Sequence, residues 1–94
     1  MSEMSEPIPS KRRVIVMDDE RLIANTLAII LNNAGYDARA VFSGEQLVEL
    51  LESFQPEVLI ADVVMPGMTG IEAAIATRNK LPESAIYFSS QDKQ

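Results

Sequence analysis

Three aspartates supply most of the chemistry available to this chain. Asp18 and Asp19 are adjacent and follow the apolar run Val14-Ile15-Val16-Met17; Asp62 closes a second such run, Val58-Leu59-Ile60-Ala61. If the two runs are neighbouring strands, they lie about 4.8 Å apart and their three carboxylates converge. Carboxylates that close repel one another unless a cation sits among them. An all-oxygen donor set suits a hard ion, and few protein ligands completed by water suit Mg2+ better than Ca2+. Ser89, after the run Ala85-Ile86-Tyr87-Phe88, could donate its hydroxyl to an oxyanion on Asp62. Taken singly, each has a plainer explanation. An Asp pair before a helix is more often an N-cap with a solvated neighbour, and a strand-end serine is more often a turn hydroxyl. Their joint placement at strand ends is what points to a site.

Missing residue types narrow the options. The chain has no cysteine and no histidine. That excludes disulfides, thiolate nucleophiles and Cys-ligated zinc, and also a Ser-His-Asp triad. Chemistry must rest on carboxylates, hydroxyls and backbone groups. A length of 94 residues with 47% hydrophobic content fits one globular domain. The formal net charge of −6 disfavours a polyphosphate partner, and Lys11-Arg12-Arg13, the only basic cluster, flanks a strand. No direct nucleic-acid contact is therefore expected. No apolar run approaches the roughly 18 residues of a membrane span. The first thirteen residues lack the apolar segment of a secretory signal, so a cytoplasmic protein is the expectation.

The elements that must position these residues alternate regularly. Residues 1–12 are polar, contain two prolines and are expected to form a mobile tail, leaving 13–94 as the domain. Val14–Met17 reads as a strand buried on both faces. Asp18 or Asp19 is expected to cap the following helix, with Ile23, Leu27, Ile30 and Ala34 as its core stripe and Gly35 just past its end. A second strand covers Tyr36–Phe42. Ser43 and Gln46 suggest a capping box for a second helix, with Leu47, Val48, Leu50, Leu51 and Phe54 on its buried face and Pro56 at its end. Val58–Ala61 is the third strand, and Pro66-Gly67 a turn. Thr69 and Glu72 form another box, opening a short helix with Ile71, Ala74 and Ile75 that stops before Pro82. Ala85–Phe88 is the fourth strand. A β-α-β-α-β-α-β order predicts an α/β fold with a doubly wound parallel sheet and right-handed crossovers. Ligands of such sheets bind beyond the carboxyl ends of the strands.

Three segments together are highly specific. Val14-Ile15-Val16-Met17-Asp18-Asp19-Glu20, then Asp62-Val63-Val64-Met65-Pro66-Gly67-Met68-Thr69-Gly70, then Ile86-Tyr87-Phe88-Ser89-Ser90, closely resemble the receiver domains of two-component response regulators. The resemblance runs from about Lys11 to the last residue. It implies a flavodoxin-like strand order of 2-1-3-4, an order that comes from the family and not from the alternation of elements. It implies Asp62 as phosphoacceptor, attacking phosphorus presented by the phosphohistidine of a sensor histidine kinase or phosphotransfer protein. Asp19 then resembles the direct Mg2+ ligand and Asp18 the ligand acting through water, with the backbone carbonyl of Val64 as a third protein ligand. Ser89 resembles the hydroxyl that follows the phosphoryl group and couples it to a conformational switch. Pro66 and Gly67 shape the loop over the site. Val64 and Gln91 occupy positions that tune access of hydrolytic water.

The chain departs from the family pattern after its fourth strand. Family members continue with a helix, a fifth strand and a fifth helix, and the fifth strand carries a lysine that pairs with the phosphoryl oxygens. Lys93 does not match that lysine by motif, and Tyr87 does not match the family's switch aromatic. The resemblance thus implies a domain incomplete at its C-terminal end. Ala24 and Ala28, with Leu31, are expected to lie exposed where the fifth helix would cover them. A homodimer through the strand-four edge or the uncovered first helix is one expected consequence. The protein is expected to be a phosphoacceptor and not an enzyme. The rival readings are a phosphorylation-independent interaction module of the same fold and a haloacid-dehalogenase-type phosphatase. The phosphatase requires a carboxylate two residues after the nucleophile, where this chain has Val64.

Overall fold

The structure, a computed structural model, describes residues 11–63 and 67–89. Residues 1–10 of the expected tail, Val64, Pro66, Ser90, Gln91 and Lys93 lie outside the described residues. Seven elements alternate: β1 (Arg13–Met17), α1 (Arg21–Asn33), β2 (Asp37–Val41), α2 (Gly44–Phe54), β3 (Val58–Asp62), α3 (Gly70–Lys80) and β4 (Ala85–Ser89). The four strands form one parallel sheet in the order β2-β1-β3-β4, as expected.

The central strands β1 and β3 are apolar on both faces up to Asp62 because helices cover both. On one face Ile15, Met17, Leu59 and Ala61 pack with Leu47, Leu51 and Phe54 of α2 and Ala73 of α3. On the other, Val14, Val16 and Ala38 meet Ala24 and Ala28 of α1, flanked by Leu27 and Leu31. Alternation along β1 assigns successive residues to the two layers. The register places Val14 beside Ala38 and Val58, and Met17 beside Val41 and Ala61. Asp62 lies directly across from Ser89.

Several helix details differ from expectation. Ala24 and Ala28 are buried against the sheet, not exposed on a flank, and Leu31 packs beside them. Ile30 and Ala34 of the expected stripe are exposed. Two small residues a turn apart let the helix backbone approach the strands closely, so the bulkier Ile30 is turned outward. The N-cap of α1 is Glu20, with no side-chain cap bond; Asp18 Oδ1 instead accepts the Glu20 N–H at 2.9 Å, one residue ahead of the helix. Ser43 caps α2 through the Gln46 N–H at 3.2 Å, but the Gln46 side chain accepts from Phe42 N–H, one residue earlier than a reciprocal box requires. Val48 points outward. Pro56 follows a C-cap, Gln55, in the left-handed region at φ 51°. The box of Thr69 and Glu72 is complete.

The buried face of α3 is Gly70, Ala73 and Thr77, leaving Ile71 and Ile75 exposed. Thr77 is fully buried and its Oγ1 finds no hydrogen-bond partner among the described residues. A buried hydroxyl without a partner costs about 1–3 kcal/mol. Thr77→Val keeps the shape and removes that cost. It is expected to raise stability by about 1 kcal/mol, or several degrees in Tm for a domain this size, measured by thermal denaturation.

Candidate functional site

All four strands point the same way, so their carboxyl ends share one rim. Asp18 follows the last residue of β1, and its backbone N–H continues the ladder by donating to the Val41 carbonyl at 3.1 Å. Asp18 is thereby fixed at the rim, and its Oδ1 is held by the Glu20 N–H. Asp62 is the final residue of β3. The pairing of β1 with β3 brings these two tips side by side.

One carboxylate oxygen each from Asp18, Asp19 and Asp62 lies within 4.8 Å of the others. Asp18 and Asp62 are buried, and Asp19 is exposed at the mouth. At an effective dielectric of about 20, two unit charges at that separation repel by about 3.5 kcal/mol. A divalent ion would replace repulsion with attraction, and the donor set, hard oxygens with one exposed member, leaves room for water ligands. The three acids therefore fit the ion inferred from sequence. The Val64 carbonyl lies outside the described residues.

Ser89 is the registered neighbour of Asp62, and residues paired in this way project to the same face of the sheet. Its carbonyl also receives the Val63 N–H at 3.5 Å. The structure thus brings together four of the residues singled out in the sequence: Asp18, Asp19, Asp62 and Ser89.

Two supporting residues carry no role that sequence reasoning assigns. Gly70 begins α3 against the peptide that follows Asp62: its N–H donates to the Val63 carbonyl at 3.2 Å. A Cβ at Gly70 would collide with the Asp62 carbonyl oxygen and stand 2.9 Å from the Val63 Cα. Only glycine lets α3 start so close to the acid-bearing strand. Its presence in the Asp62–Gly70 segment is visible in the sequence, but the contact is not. Arg21, the first residue of α1, stacks on the Phe42 ring at 4.4 Å, a cation–π contact joining the first helix to the end of β2. No local pattern announces a pairing between residues so far apart in sequence.

Comparison with known proteins agrees with this geometry. The family model described as the response regulator receiver domain matches residues 14–94. Among solved structures, chemotaxis protein CheY4 of Vibrio cholerae superposes with a TM-score of 0.82 at 25% identity, covering 90% of this chain and 72% of that one. The N-terminal domain of a response regulator receiver protein from Methanoculleus marisnigri gives 0.76 at 25% identity, with coverage of 90% and 72%. The signal receiver domain of a modulated diguanylate cyclase from Desulfovibrio desulfuricans is 32% identical, with a TM-score of 0.73 and coverage of 86% and 67%.

Ion binding to the three acids has a measurable signature. At tenfold excess over its Kd, an ion that binds only the folded state stabilises it by about 1.4 kcal/mol. Adding Mg2+ is expected to raise the Tm of the wild type by several degrees, and Asp19→Asn should abolish most of that rise. Calorimetry with and without the ion checks both.

Proposed function

Because the chain belongs to the response regulator receiver domain family, we propose that Asp62 accepts a phosphoryl group from the phosphohistidine of a sensor histidine kinase or phosphotransfer protein. The observation that carries this reading is the trio of carboxylates at one rim, with Asp62 at a strand tip between two acids and a serine. In the transfer an Asp62 carboxylate oxygen attacks phosphorus, the phosphorus–nitrogen bond to the donor imidazole breaks, and the imidazole leaves with the electron pair and takes up a proton. The product is an aspartyl phosphate.

Residues of the chain divide the work. Asp18, Asp19 and Asp62 would hold Mg2+, which would supply charge neutralisation for the transferring group, the chief requirement of phosphoryl transfer. The backbone carbonyl of Val64 would be the further protein ligand that the family resemblance implies. The Glu20 N–H keeps the Asp18 carboxylate oriented. Asp62 provides the nucleophile, held in place by the strand below it. Ser89, in register beside it, donates its hydroxyl to the new phosphoryl oxygens and passes the event to the surface as a conformational switch. The protein is a phosphoacceptor and not a turnover catalyst, acting in the cytoplasm with its donor.

The donor protein needs a footing near the acids. Leu22 and Ile29 lie seven residues apart on α1, two helical turns, and both are exposed, Leu22 to 80%. They offer an apolar strip for the donor's own helix on an element that begins two residues after Asp19. Among the described residues no helix is long and apolar enough to cross a membrane.

Incubation with Mg2+ and acetyl phosphate should place one phosphoryl group on Asp62, located by peptide mass spectrometry; Asp62→Asn or removal of Mg2+ should abolish it. Donor turnover with no accumulation on Asp62 would overturn the assignment in favour of a phosphatase. Once formed, the aspartyl phosphate is expected to decay slowly, because apolar Val64 hinders approach of hydrolytic water. Val64→Asn should shorten its lifetime severalfold in a decay time course.

A further inference from the structure

We propose that Met68, seated against Gly44, is a positioning residue for Asp62: it ties the start of α3 to the start of α2, and α3 in turn fixes the peptide that follows the phosphoacceptor. The proposal rests on the role given to Asp62 above and adds a residue with no charge or nucleophile of its own.

α2 opens on a glycine for a reason other than backbone freedom. Among the described glycines only Gly35 and Gly67 have the positive φ that glycine adopts most easily. Gly44 is the first helical residue after the N-cap Ser43, where helix propensity gives glycine no advantage. What it provides is room. A Cβ built there would stand 2.5 Å from Met68 Cβ, 2.6 Å from its Sδ and 3.0 Å from its Cγ. Met68 thus lies along Gly44 instead of meeting it with a flexible tip. Rotation about its side-chain bonds leaves its Cβ in place. A methyl group at Gly44 would therefore have to move the backbone of Met68 or the first turn of α2. Met68 also packs against the buried cluster that includes Leu47, Leu51, Leu59 and Ala73.

Three successive links carry that contact to the site. Met68 precedes Thr69, the N-cap of α3, and the capping box there is closed at both ends. The Thr69 N–H donates to Glu72 Oε1 at 2.8 Å, and the Glu72 N–H donates to Thr69 Oγ1 at 3.2 Å. Gly70 follows and donates its N–H to the Val63 carbonyl at 3.2 Å, while its bare Cα lies against the Asp62 carbonyl. The same peptide is held less firmly by β4, since the Val63 N–H reaches the Ser89 carbonyl only at 3.5 Å, a long hydrogen bond. Pairing of β3 sets where the Asp62 Cα lies, and the peptide beyond it takes its orientation from Gly70 and so from Met68. Two helix-opening glycines serve one joint: Gly44 admits Met68 to α2, and Gly70 admits α3 to the Asp62 peptide.

Orientation matters because attack on phosphorus needs the carboxylate close to its in-line position, and a misplacement of about 1 Å can cost a hundredfold in rate. Met68→Ala keeps the Cβ but removes the arm that packs, whereas Met68→Leu restores the bulk. Phosphorylation of Asp62 by acetyl phosphate, at saturating Mg2+ and below the Tm of every variant, is expected to slow about tenfold in Met68→Ala. Met68→Leu should stay within about twofold of the wild type. Gly44→Ala, which forces the same parts apart, should slow transfer as Met68→Ala does. Phe54→Leu, a core change at the far end of α2, should lower Tm without slowing transfer.

Hydrogen exchange reads the joint without any phosphoryl transfer. Taken relative to the Ile15 amide in β1, the Gly70 amide is expected to exchange about tenfold faster in Met68→Ala, with the ratio unchanged in Phe54→Leu. Transfer at the wild-type rate in Met68→Ala would overturn the proposal. So would an unchanged Gly70 ratio in that variant, or an equal loss of rate in Phe54→Leu at the same loss of Tm. A wild type left unmodified at Asp62 defeats the phosphoacceptor role alone, and the exchange ratio still decides whether Met68 holds the joint.

Discussion

Parallel pairing of β1 with β3 is the constraint from which the rest follows. Because both strands run the same way, their last residues reach a common rim, and Met17 paired with Ala61 puts the aspartates that follow each of them side by side. An antiparallel pair would have sent Asp18 and Asp62 to opposite ends of the sheet. Parallel strands require crossovers, the crossovers are α1 and α2, and those helices supply both hydrophobic layers. The packing of the sheet thus brings three carboxylates to one rim. Asp18 and Asp62 are held there at the ends of buried strands.

Much of this is legible in the sequence because the relevant signals are short-range. Uniformly apolar runs ending in aspartate mark strands buried on both faces, and Thr69 with Glu72 marks a helix start that the structure reproduces in both of its hydrogen bonds. The strand order and the gathering of Asp18, Asp19, Asp62 and Ser89 follow from alternation together with the family resemblance. What sequence reasoning misses depends on distances between elements. Periodicity favours bulky Ile30 for the buried stripe of α1, whereas close approach to the sheet favours Ala24 and Ala28. Residue type makes Asp18 a helix cap, whereas the ladder bond to Val41 holds Asp18 in the sheet and the helix begins after Glu20. Gln55 in a left-handed conformation carries no residue-type signal at all.

The same logic separates function from packing among the apolar residues. Ile15, Met17, Leu47 and Leu59 are buried and say only that a core exists. Leu22, Ile29, Ile71 and Ile75 share their chemistry but lie in water on helix flanks, where burial by a partner is the remaining source of hydrophobic stabilisation. Leu22 lies in the first turn of α1, close to the acidic rim, Ile29 two turns further on, and Ile71 and Ile75 lie on α3.

The glycine that opens α3 has a mechanical consequence. With no side chain at Gly70, the first turn of the helix rests on the Asp62–Val63 peptide with no slack between them. A shift of that peptide toward the helix would press directly on its first turn. α3 has eleven residues and is about 16 Å long. A tilt of about five degrees at its root swings the far end by more than an ångström. A tilt begun at the acidic rim would thus be largest at Arg78 and Lys80, at the far end of the helix.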